Sequence, residues 1–130
     1  MFHPGEFIAE EMRARGWTHC YSAGPLYHLI FASAEEVILT PLQKNRYPQY
    51  DRAVEASPAI CYLYREDQAD KRQHLAMMEL LRRQGVTYGV VTVGPYRVLH
   101  DIAPRDALSR EAIGKIRRQE ALAVVPLGLN

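Results

Sequence analysis

Three groups of side chains in this 130-residue chain are of the kinds that hold ions, move protons or grip a charged partner. His19, Cys20 and His28 form the first. Imidazole and thiolate are transition-metal ligands, yet adjacent residues on a strand point to opposite faces, so His19 and Cys20 do not readily converge on one ion. No ligand spacing recurs downstream, and neither a metal nor another cofactor is expected. Glu66, Asp67 and Asp70, followed by Lys71, form the second group. Carboxylates beside a lysine suit a divalent-ion site, but they also complement the positive end of a helix starting there, and capping is the favoured reading. The third group is cationic and aromatic. Lys44, Arg46, Tyr47 and Tyr50 lie in the polar stretch QKNRYPQY, and Lys115, Arg117 and Arg118, with Arg105 and Arg110, lie on or near a final helix. Such cations contact phosphates and such tyrosines stack on bases. Tyr with Arg is equally the composition of protein–protein hot spots, and composition is compatible with both.

The elements that must position these residues follow from periodicity. Residues 4–15 predict a helix with Pro4 in its first turn, Phe7, Ile8 and Met12 as a narrow apolar stripe, and Gly16 as its cap. Thr18–Tyr21 predicts the start of a strand and Ser22–Pro25 a turn. Two apolar runs follow, Leu26–Ala32 and Val37–Leu42, joined at Ser33–Glu36. Each is strand-length, and together they predict a hairpin at the centre of the sheet. Pro41 either ends the second strand at Thr40 or places that part of it at an edge or bulge. An exposed loop is expected over 43–50, where Pro48 argues against a helix, then a short helix over Asp51–Ala56. Ala59–Arg65 predicts a strand. A helix opening at an Asp70–Gln73 capping box and carrying Leu75, Met78 and Leu81 comes next, closed by Gly85. Val86–Val93 predicts a buried strand, Tyr96–Ile102 another, and Pro104 with Asp106 or Ser109 opens a last helix bearing Ala112, Ile113, Ile116 and Ala123. The order is roughly α-β-β-β-(α)-β-α-β-β-α. It predicts one α/β (α+β) domain over 1–130, a mixed central sheet flanked by helices.

Composition narrows the function classes. A hydrophobic share of 48% and a charged share of 24% are those of a chain that builds a core, not of a disordered one. The net charge of +1 gives no electrostatic footprint for nucleic acid, although residues 66–130 carry ten Lys/Arg against eight Asp/Glu. No apolar run approaches the roughly 20 residues of a membrane span, and the N-terminus lacks the pattern of a secretory signal. A cytoplasmic protein with no membrane partner is expected, with Cys20 and Cys61 as reduced, buried thiols.

Two resemblances add to this. His3-Pro4-Gly5-Glu6, continued as FIAEEMRARGWT, resembles the opening of Xre-type helix-turn-helix antitoxins over the first 18 residues, after which that family is helical and this chain turns to strands. More of the chain is similar to the PD-(D/E)xK nuclease-like fold, and most to its Holliday-junction-resolvase-type members. The residues that carry the likeness are a helix containing Glu6, Arg15-Gly16-Trp17, a strand, Ser22-Ala23-Gly24 and then the hairpin. GVTYGVVTVGPYRVL also resembles the closing strands of restriction-type members. The resemblance implies an acid pair holding magnesium and a lysine near the attacking water. Glu6 matches the helix glutamate. The aspartate position falls at His28 and the E-x-K positions at Thr40-Pro41-Leu42, while Lys44 is two residues late and Gln43 is no carboxylate. The resemblance therefore implies a catalytically vacant copy. The expected function is that of a non-catalytic binding protein, of a phage or mobile element, that recognises another protein. The alternatives are a DNA-binding module, or a nuclease whose acids have migrated to Asp51, Glu66 or Asp67.

Overall fold

The computed structural model describes residues 4–24, 26, 36–42 and 48–118. Among them the elements are α1 (Pro4–Arg15), β1 (His19–Ser22), β2 (Ile38–Pro41), α2 (Pro48–Ala56), β3 (Cys61–Arg65), α3 (Arg72–Arg83), β4 (Thr87–Val93), β5 (Tyr96–Ala103) and α4 (Arg110–Arg117). Short 3-10 turns at Glu66–Gln68 and Arg105–Leu108 complete the set. The five strands make one mixed sheet in the order β2-β1-β3-β5-β4. The first three run parallel, and β5 is antiparallel to both β3 and β4.

The sheet separates two cores. Ile8 and Met12 of α1 pack on one face with Cys20, Leu39, Leu63, Tyr96 and Val98. Helices α2, α3 and α4 cover the other face through Val54, Ala76, Met77, Leu81, Ile113 and Ile116, over Tyr21, Tyr62 and Leu99. The predicted mixed α/β architecture with helices on both faces is the one observed.

Several details differ from the sequence reading. The expected hairpin over 26–42 is not the centre of the sheet. Its second run becomes β2, whose described neighbour is β1, paired in parallel, while most of its first run lies outside the described residues. A parallel pair needs a crossover of a dozen residues or more, and 23–37 is long enough to supply one. Pro41, which has no N–H to give, ends a strand that lies at the sheet's edge among the described residues. Pro48 opens α2 instead of forbidding it, because the first helical position needs no N–H donor. Helix α3 starts at Arg72 with no side-chain cap, so the Asp70–Gln73 box does not form; Gln68 instead accepts from the Arg65 amide at 2.9 Å. The buried stripe of α3 runs through His74, Met77 and Leu81, and Leu75 is exposed. Strand β4, expected to be buried, is an edge strand among the described residues, with Val90 54% exposed.

Cys20 and Cys61 face each other in register across β1 and β3, with Cα atoms 4.4 Å apart, and are disulfide-bonded. Adjacent in-register positions carry both side chains onto the same face, a relation that spacing along the chain does not display. The reduced-thiol expectation is corrected accordingly. Nearby, the Trp17 indole stacks on the His100 ring at 4.1 Å between centroids. His100 in turn lies over Gly89, where any Cβ would collide with the imidazole.

Candidate functional site

The register brings Thr40, Tyr21 and Tyr62 into one row across β2, β1 and β3, on the face covered by α2, α3 and α4. All three are fully buried. A hydroxyl in an apolar layer needs a partner, because the desolvation of an unpaired one is not repaid. Two of the three hydroxyls meet this requirement, each differently, and the third has no partner among the described residues.

Tyr62 shares a hydrogen bond of 2.7 Å with His74 Nδ1, and Tyr64 packs against the same imidazole with ring centroids 4.2 Å apart. Burial lowers the His74 pKa and holds the ring neutral, and burial likewise pushes the Tyr62 phenol well above its ordinary range.

Thr40 belongs to an ionic node. Its hydroxyl donates to Asp51 Oδ1 at 3.3 Å, and Asp51 comes from the first turn of α2. Arg117, in the last turn of α4, grips both carboxylate oxygens of Asp51, at 3.0 and 3.1 Å. The same guanidinium donates to the Pro41 carbonyl at 2.8 Å and to the Thr40 hydroxyl at 3.4 Å. Carboxylate, hydroxyl and carbonyl oxygens are the donors a hard divalent cation takes. Here they converge on a guanidinium of the chain itself. Both charged side chains are only 22% exposed, so the pair is weakly screened.

Tyr21 stands between these two arrangements, and its hydroxyl is buried with no hydrogen-bond partner among the described residues. Its pKa is pushed up to about 12, first by burial, with opposing contributions from Arg105 and Arg117 on one side and Asp51 and Glu55 on the other. It borders a cleft of about 410 Å³ lined also by Glu55, Ser57, Arg105, Asp106, Ser109 and Arg110. Arg105 is committed inward. It donates to the carbonyls of Val54, Glu55, Ser57 and Leu108 over 2.8–3.3 Å, and so caps the C-terminus of α2.

The structure redistributes the candidates named from sequence. His28, Lys44, Arg46 and Tyr47 lie outside the described residues. Glu6 falls in the first turn of α1. Thr40 and Leu42 are buried at the end of β2, and Tyr50 is half-buried against the α1-side core, not a free stacking platform. The basic cluster divides: Arg117 and Arg105 turn inward, Arg110 reaches Glu55 at 3.9 Å, and Lys115 and Arg118 are exposed. Glu66 pairs with Arg97 and Asp67 with Arg65, each at 3.2 Å. Of the three migrated acids, only Asp51 lies beside Thr40. His74 and Tyr21 were missed, and Arg105, named only among the phosphate-contacting cations, was missed in its inward role. A histidine within a helical apolar stripe was the one available signal, because the partners of the others are distant in sequence.

Among the described residues, no three His, Cys, Asp or Glu side chains gather as a metal site, and no helix is long and apolar enough to cross a membrane. No family model, curated protein or solved structure matches this chain.

Proposed function

We propose that this chain is a non-catalytic binding protein that acts by recognising another protein, with a nuclease-like centre closed by its own arginine. One observation carries the reading: the Arg117 guanidinium is held by the Asp51 carboxylate, the Thr40 hydroxyl and the Pro41 carbonyl. A magnesium ion on these oxygens would have to displace a part-buried bidentate pair and leave a largely desolvated guanidinium behind. The distribution of charge favours protein over nucleic acid as the partner. Two of the five cations near the C-terminus are internal, which leaves a thin basic surface for a polyanion.

Affinity isolation from the native host, with and without nuclease treatment of the eluate, tests the proposal. A protein partner at fixed stoichiometry, unaffected by that treatment, is the expected result. Magnesium-dependent cleavage of duplex or branched DNA that disappears in Asp51→Asn would refute it. So would retention of nucleic acid alone with a steep salt dependence, which points to the DNA-binding alternative.

A further inference from the structure

The two edges of the sheet are built differently. At one, β2 is four residues long, ends in Pro41 and is flanked by α2. At the other, β4 has seven residues, TYGVVTV, with no charge and no proline. Natural sheets guard exposed edges with lysines, prolines, very short strands or a covering element. Strand β4 has the first two nowhere along its length, and among the described residues no element pairs with its outer side. Its side chains are correspondingly open, with Val90 54% and Tyr88 37% exposed on the face that α2, α3 and α4 cover elsewhere.

We propose that the outer edge of β4 pairs antiparallel with β4 of a second copy of this chain, joining two five-stranded sheets into one. Val90 is the middle residue of β4, so a two-fold axis there overlaps the whole strand. Val90 then faces its own copy, Tyr88 faces Thr92, and Gly89 faces Val91. Each of these pairs lies on a common face of the merged sheet, because both members have the same parity. Tyr88, Val90 and Thr92 from both copies form one continuous β-branched and aromatic patch, the type of cross-strand pairing that stabilises sheets. An axis through a charged strand would set like charges opposite each other, whereas an uncharged strand meets its copy without that penalty. This selects a second copy over a charged peptide as the occupant. The irregular register with β5 is confined to Thr87–Gly89, so Gly89–Val93 presents a regular edge. The inference is independent of the role assigned to Arg117.

Sedimentation equilibrium from low to high micromolar concentration tests it. The wild-type mass should rise from 14.9 kDa toward twice that value. Val90→Lys, which sets two ammonium groups face to face at the axis, should hold the monomer mass throughout. Val90 is more than half exposed, so the variant should fold, and an unchanged far-ultraviolet spectrum, with a melting midpoint equal to that of the wild type at the lowest concentration, confirms this. Amide exchange on the wild-type protein gives a reading that needs no variant: protection within 87–93 should rise with concentration while the amides of β2 stay constant. A wild-type chain that is monomeric at every concentration overturns the proposal. So does a dimer that survives Val90→Lys, or β4 protection that is already complete in the monomer.

Discussion

Tyr21 and Tyr62 are in-register neighbours in the middle of one sheet, both fully buried, yet only the Tyr62 hydroxyl has a partner among the described residues. The same substitution at each site should therefore act in opposite directions. Tyr62→Phe removes the partner of His74 Nδ1 and leaves a buried ring nitrogen unpaired. A group stranded in this way costs about 1–3 kcal/mol, and the imidazole's slight exposure places the expected loss at about 1–2 kcal/mol. Tyr21→Phe deletes a hydroxyl that bonds to nothing described, so its desolvation penalty goes and no partner is abandoned. The expected result is a protein of equal stability or one more stable by about 1 kcal/mol. Urea unfolding followed by circular dichroism resolves the difference, because with a slope of about 1–3 kcal/mol per molar the midpoints should separate by roughly 0.3–3 M. Equal slopes in the two variants would show that both report on the folded state. A Tyr21→Phe protein destabilised as much as Tyr62→Phe would refute the reasoning, since it would mean that the Tyr21 hydroxyl makes a bond of full strength.

Arg117→Met strands the Asp51 carboxylate and the Pro41 carbonyl, and should cost about 2–4 kcal/mol, read as a lower urea midpoint. The double variant Arg117→Met with Asp51→Leu should recover much of that loss, and no recovery would argue against the pair as the cause. Burial depresses the pKa of His74, and also that of half-buried His19, so the unfolded chain takes up protons first as pH falls. Stability should be level above the ordinary histidine value of about 6.5, fall as pH drops from there through the lower folded values, and flatten beneath them. His74→Gln should reduce that slope, and an unchanged profile would exclude His74 as its source. The disulfide joins residues 41 apart in sequence, a separation for which loop closure alone predicts about 4 kcal/mol. Reduction should lower the unfolding free energy of the wild type by a comparable amount and leave Cys20→Ala/Cys61→Ala unaffected, whereas equal stability with and without reductant would contradict the bond's contribution.

How far the structure was legible in the sequence depended on the range of the deciding interaction. Helix α1 with its Gly16 cap, strand β3 and the Gly94–Pro95 turn are set by neighbouring residues and are where periodicity and capping place them, and α4 starts at Ser109, one of the two starts that capping offers. Ser109 accepts the Ala112 amide at 3.2 Å, as an N-cap should. Strand β2 shows the opposite case. Its apolar run was legible, but its neighbour was not, because local pattern does not distinguish a hairpin partner from a parallel one supplied by an earlier strand. Valines in β4 read as buried because apolar content reports propensity, whereas edge position is a property of the whole sheet. At the candidate site, Thr40 was identified as an unusual residue at its position. Its partners Asp51 and Arg117 lie 11 and 77 residues away, beyond any spacing rule.

Arg105 and Arg117 have a consequence for how the chain is divided. Both lie in its last third, and apart from the Arg105 bond to the Leu108 carbonyl their donors go to carbonyls, a hydroxyl and a carboxylate between residues 40 and 57. The early part thus displays a set of unanswered acceptors, and the later part holds the donors that answer them. A cut in the Gly94–Pro95 turn would separate question from answer, leaving one fragment with an uncapped α2 and the other with two guanidiniums stripped of most of their acceptors. Two such fragments, each incomplete alone, are suited to finding one another and restoring the joint.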